Sequence, residues 1–87
     1  MIRKSTNNDI EKIMRIWLDT NISVHNYIPQ EYWTSNVEYV KKAIQEAEVY
    51  VYEENKEIKG FIGINNGHIE GIFVEEKYRN KRIYRNK

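Results

Sequence analysis

Cysteine is absent from the 87 residues. Neither a disulfide nor a thiolate zinc site can brace the core, and the composition suits a reducing cytoplasm. No run of about 18 apolar residues is present, so no helix is expected to span a membrane. The start, Met1-Ile2-Arg3-Lys4, leads straight into polar residues and lacks the apolar stretch of a signal peptide. Two histidines are too few, at this spacing, to suggest a metal-ligand cluster, and no Ser-His-Asp spacing stands out. Proline occurs once, at Pro29, and glycine four times, at Gly60, Gly63, Gly67 and Gly71. The length allows one domain at most. Such a chain buries roughly 60–65% of its unfolded surface, so its stability is expected to be marginal.

Acid is missing from the last eleven residues. Residues 1–76 carry eight Lys/Arg against thirteen Asp/Glu, a net −5, whereas residues 77–87 carry six Lys/Arg and no acid, a net +6. A basic tail can meet nucleic acid or an acidic surface electrostatically, or stay solvated. Tyr78, Ile83 and Tyr84 interleave with its cations, a mixture that can bind single strands. Eleven residues without a nucleic-acid fold make that a minor reading.

Local patterns give an element order. Ile2 to Ser5 suits a short first strand. Thr6 offers an N-cap, with Asp9 three residues on. Ile10, Ile13, Met14, Trp17 and Leu18 follow at helical spacing and predict a helix from about Asn7 to Asn21. Its polar face carries Glu11, Lys12, Arg15 and Asp19. Pro29 fits the first position of a second helix. The apolar stripe of that helix is Trp33, Val37, Val40, Ala43 and Ile44, and its end falls near Gln45 to Ala47.

The period then changes from 3.6 to 2. Val49 to Tyr52 alternates Val and Tyr as a half-buried strand does. Glu53 to Glu57 is a polar turn, and Ile58 to Ile64 a second strand. Asn66-Gly67 is a strong hairpin signal, because a type I′ turn needs φ > 0 at both central residues. His68 to Val74 completes a meander. Glycines within strands mark bulges, close backbone approach or packing relief, and Gly60, Gly63 and Gly71 fit any of these. The order βααβββ, with a meander packed on two helices, predicts an α+β sandwich in one unit over 1–87, with residues 1–76 folded.

This order resembles the N-terminal half of the GNAT superfamily of N-acetyltransferases. The resemblance is carried by the IRKSTNNDIEKIMRIWL opening, the EVYVYEENKEIKGFIGI hairpin and the GIFVEEKYRNK strand-loop, and it covers essentially the whole chain. HNYIPQEYW, residues 25–33, resembles a small bacterial subgroup. In the family a strand leads into R/Q-x-x-G-x-G/A at a helix start. The matching positions here are Arg79, Asn80, Lys81, Arg82, Ile83 and Tyr84, so Arg82 and Tyr84 stand where small residues are expected.

The resemblance implies acetyl transfer from acetyl-CoA to an amine. It implies that backbone N–H groups of Phe73, Val74 and Glu75 meet the acyl arm and polarise the thioester. Arg79, Lys81 and Arg82 would face the phosphates, which bind a nest of N–H groups at the helix start. Glu75 and Glu76 would relay the amine's proton; a solvated acidic pair is the alternative. His25, Tyr27, Tyr32 and Trp33 would border the acceptor, unless Tyr27 and Trp33 pack in the core and His25 is an ordinary surface residue. The family continues with a helix, a fifth strand and a later tyrosine acid that have no counterpart in these residues. Weak or absent catalysis by the 87 residues is therefore expected. An open strand 69–74 is expected to self-pair into a homo-oligomer, which gives a non-catalytic interaction protein as the second reading.

Overall fold

The computed structural model describes residues 1–65 and 67–75. It contains β1 (Ile2–Lys4), a 3₁₀ turn (Asn7–Asp9), α1 (Ile10–Val24), α2 (Gln30–Thr34), α3 (Val37–Glu46), β2 (Glu48–Glu54), β3 (Glu57–Asn65) and β4 (His68–Val74). The strands form one antiparallel sheet in the order β1-β2-β3-β4. The architecture is α+β, as expected.

The start of α1 is set by Asp9. Its Oδ2 accepts the Thr6 N–H at 2.7 Å, so the carboxylate satisfies a donor that the first helical turn leaves orphaned. Three residues of 3₁₀ turn precede the α-helix. Ile13, Met14 and Ile16 are then buried, and the helix runs three residues beyond Asn21. Asn21 itself is buried and donates Nδ2–H to the Trp17 carbonyl at 2.9 Å, bonding back along its own helix.

The second expected helix is corrected in two respects. Pro29 sits just outside it, with extended ψ of 139°, and Gln30 is the first helical residue. The helix is also broken, into α2 and α3. At the break Thr34 Oγ1 donates to the Glu31 carbonyl at 3.2 Å, Ser35 Oγ to the Tyr32 carbonyl at 3.1 Å, and Asn36 Nδ2 to the same carbonyl at 2.6 Å. Three short polar side chains in a row compete for the carbonyls that a continuous helix would use. The order is therefore βαααβββ.

In the sheet, Val51 lies opposite Phe61, and Phe61 opposite Phe73. With Val49 and Ile58 they meet Ile13 and Ile16 in the core, flanked by Trp17, Ile44 and Phe73. Alternate residues (Ile2, Tyr50, Tyr52, Ile62, Ile72, Val74) line a second, apolar groove of about 320 Å³ on the other face. The register slips between Gly63 and Ile64, where Gly63 pairs with Gly71 but Ile64 with Ile69. That leaves Glu70 as the extra residue of a bulge. Gly60 permits close strand approach, since a Cβ there would lie 2.7 Å from the Phe73 carbonyl oxygen.

Both hairpins are tight. Asn55 and Lys56 both have positive φ, 56° and 64°, which makes the β2–β3 connection a type I′ turn rather than merely a polar one. At the β3–β4 connection Gly67 has φ of 80° and Asn65 pairs with His68, a two-residue loop. Asn66 lies outside the described residues, as do Glu76, Arg79, Lys81 and Arg82.

Candidate functional site

The site is built at the end of β4, where the sheet meets α1. The Glu75 N–H donates to the Lys59 carbonyl at 2.9 Å. This corrects one sequence expectation: the N–H of Glu75 is committed to β3 and is not a donor for a substrate carbonyl. Antiparallel pairs alternate. Lys59–Glu75 is a hydrogen-bonded pair, so two residues back Phe61–Phe73 is another. Val74, opposite Gly60, is at the intervening position.

What Glu75 presents is its carboxylate. Lys12, from α1, places Nζ 3.3 Å from Glu75 Oε2, with the two side chains only 29% and 25% exposed. Oε1 is buried and has no hydrogen-bond partner among the described residues. Leaving a buried acceptor unsatisfied costs about 1–3 kcal/mol, more for a charged one. A donor brought by a ligand would recover it.

Phe73 points to the helix side and stacks on Phe61, with ring centroids 4.9 Å apart and planes 8° from parallel. Both rings line a groove of about 610 Å³ between α3 and the sheet, with Trp17, Val40, Ile44 and Gly71 among its other walls. α3 buries none of its residues fully.

The four residues expected to border the acceptor are brought together. Trp33 stacks on His25 at 5.5 Å and meets Tyr32 edge-on at 4.9 Å, while Tyr27 meets His25 edge-on at 6.1 Å. Trp33 also meets Trp17 edge-on at 6.0 Å, which joins the cluster to the groove wall. Tyr27 is 77% exposed, so its placement in the core is excluded, whereas Trp33 is half-buried. Among the described residues the indole Nε1 of Trp33 is buried without a partner. Sequence reasoning placed Lys12 merely on a polar helix face. No local signal links it to Glu75, 63 positions away.

Away from this region Arg3 ties β1 to the helix start and to β2. Its Nη1 and Nη2 meet Asp9 Oδ2 and Oδ1 at 2.8 and 3.0 Å, and its Nε meets Glu53 Oε1 at 2.8 Å. These bonds hold both carboxyls below their ordinary range, that of Asp9 chiefly through the Arg3 hydrogen bonds and against the opposing effect of burial. Among the described residues no three His, Asp or Glu converge as a metal site requires, and no helix is long and apolar enough to cross a membrane.

The residues expected to face phosphates lie outside the described region. Within it, Glu75 Oε1 at the end of β4 meets no donor among the described residues. The family profile described as "Acetyltransferase (GNAT) domain" matches residues 20–86. The chain is 29% identical over 79 residues to the peptidyl-lysine N-acetyltransferase YiaC of Escherichia coli K12, covering 88% of this chain and 54% of that protein. It is 25% identical over 79 residues to the peptidyl-lysine N-acetyltransferase YjaB of the same strain, covering 90% and 54%. It thus spans about half the length of these curated relatives. The fold is that of the solution structure of apo-form YjaB from Escherichia coli, with a TM-score of 0.81 at 24% identity over 95% of this chain and 57% of that one. A possible acetyltransferase from Clostridium difficile 630 superposes with a TM-score of 0.63 at 16% identity, covering 97% and 62%. On the profile match, and with this fold beneath it, the chain belongs to the GNAT acetyltransferase family.

Proposed function

We propose that the chain serves acetyl transfer from acetyl-CoA to an amine, and that the 87 residues alone do so weakly or not at all. The observation that carries the reading is Glu75, a half-buried carboxylate with an unpartnered oxygen at the end of β4. Phe73 and Val74 would lie along the acyl arm. Arg79, Lys81 and Arg82 would attract the phosphates by charge. His25, Tyr27, Tyr32 and Trp33 would flank the acceptor, whose class we take from YiaC and YjaB as a lysine side chain. As the N–C bond forms and the C–S bond breaks, the sulfur leaves with the bonding pair. Glu75 Oε1 takes the proton shed by the nitrogen, Glu76 relays it, and the thiolate ends as thiol. Weakness follows from Arg82 and Tyr84, because backbone can approach a phosphate closely only where no bulky side chain intervenes.

The test is calorimetric titration of the folded 87-residue chain with acetyl-CoA, using dephospho-CoA as control. Saturable binding supports the reading and justifies a screen of lysine peptides. A folded chain with no binding limits the family likeness to ancestry. A second reading, self-association, is favoured by the place of β4 at the edge of the described sheet, with Ile69 and Ile72 61% and 58% exposed. A concentration-dependent mass without affinity for acetyl-CoA would select it.

A further inference from the structure

Lys12 is the charged side chain that meets Glu75, and the proposed chemistry gives it no part. We propose that it is the positioning residue of the transfer site. Its ammonium fixes Glu75 Oε2, so that Oε1 faces the N–H of the incoming amine. The inference rests on the reading of Glu75 as proton acceptor.

Three observations support it. The Lys12–Glu75 pair is enclosed to the same degree as the structural Arg3–Glu53 pair, whereas Lys41–Glu11 and Lys59–Glu54 each have a carboxylate more than half exposed (83% and 53%). A pair in water holds its partner loosely, and an enclosed one holds it in place. The backbone of Glu75 is pinned separately, through its N–H to the Lys59 carbonyl. With the main chain and one carboxylate oxygen both tied, the remaining freedom of the side chain is small. Finally, among the described residues the tie is one-sided: Lys12 takes Oε2 and leaves Oε1 buried without a partner. A purely structural ion pair would be expected to satisfy both oxygens.

The geometry also explains why a lysine is needed on α1 at this turn. Ile13 and Ile16 fix the helix against the sheet. Lys12 adjoins Ile13 on the flank, where its stem reaches over the edge of the core toward β4. A shorter residue would not span that distance, and an acid would repel Glu75.

The experiment uses the full 87-residue chain, with Glu75 labelled for carbon NMR, and the variants Lys12→Met, Lys12→Arg and Glu75→Gln. The probe is Nα-acetyl-lysine methylamide. In the parent chain and in Lys12→Arg, the Glu75 side chain is expected to show one rotamer, and its carboxyl resonance to shift on titration with the probe. In Lys12→Met, rotamer averaging should appear and the apparent probe affinity should drop at least about threefold, with the fold intact by amide spectrum. A mere charge effect has the opposite sign, since removing a cation beside a carboxylate tightens the binding of an ammonium ion. Unchanged Glu75 rotamers in Lys12→Met, or tighter probe binding, would overturn the proposal whatever the activity. Ordered rotamers, with probe binding that Glu75→Gln leaves unchanged, would keep the Lys12–Glu75 tie and sink the reading of Glu75 as proton acceptor instead. A probe that never shifts the Glu75 resonance in the parent chain also overturns it.

Discussion

Asp9 shows how much one residue can carry in a chain this short. It starts the first helix, anchors Arg3 by two bonds and is 7% exposed. Asp9→Ala should cost about 2 kcal/mol at pH 7, as loss of charged hydrogen bonds to a buried group does. The pH dependence has a fixed sign. The carboxyls of Asp9 and Glu53 are held below their unfolded values. Their stabilisation is therefore fully present above an unfolded pKa of about 4 and is lost as pH falls through the lower folded values. Thermal unfolding followed from pH 6 to pH 2 should show the loss, and Asp9→Asn should flatten it. A second prediction at this scale concerns Gly60. Its substitution by alanine drives a Cβ to 2.7 Å from a main-chain oxygen, and backbone cannot swing aside as a side chain does. Gly60→Ala should cost about 1–3 kcal/mol in urea unfolding. Gly63, with nothing within 4 Å of a Cβ, should tolerate the same change better.

Among the elements, turns and edges decide most. The β2–β3 turn places Lys56 at φ of 64°, where a β-carbon is strained. Lys56→Gly should raise stability by about 0.5–1 kcal/mol, which differential scanning calorimetry would register as a higher midpoint. The edge strand β4 makes the opposite kind of prediction. Lysine at Ile69 and Ile72 should abolish self-association, seen as a monomeric mass in light scattering at high concentration. Both side chains are mostly exposed, so the folded chain should lose little stability. If the doubly substituted chain still dimerises, strand pairing is not the route.

The whole molecule joins a compact two-layer half to a basic end. The helices cover one face of the sheet and leave an apolar groove on the other. The end carries the charges proposed to attract phosphate, Arg79, Lys81 and Arg82, and large residues at 82 and 84. Arg82→Gly with Tyr84→Gly should tighten acetyl-CoA binding about tenfold by calorimetry, worth about 1.4 kcal/mol. Restored backbone approach would outweigh the charge lost at Arg82. Equal or weaker affinity would mean that charge, not close approach, governs what binding there is.

Local chemistry was enough to read the element order except for one break in the second helix. Apolar spacing set α1, alternation set the strands, and Asn-Gly marked the β3–β4 loop. The aromatic residues 25–33 were legible as a cluster because they are neighbours in sequence. The break between α2 and α3 was missed. An apolar stripe continues through Val37 and Val40, but three successive side chains capture the carbonyls that the stripe needs. The I′ character of Asn55-Lys56 was also missed, since only sheet pairing forces both residues to positive φ. The sequence by itself determined which segments are helix and strand and which faces are apolar, because those depend on interactions a few residues apart. Only the tertiary structure decided that the Glu75 N–H turns to Lys59, that Lys12 meets Glu75 across 63 positions, and that Oε1 is left bare. Those contacts depend on how helix and sheet pack, and no local pattern encodes that.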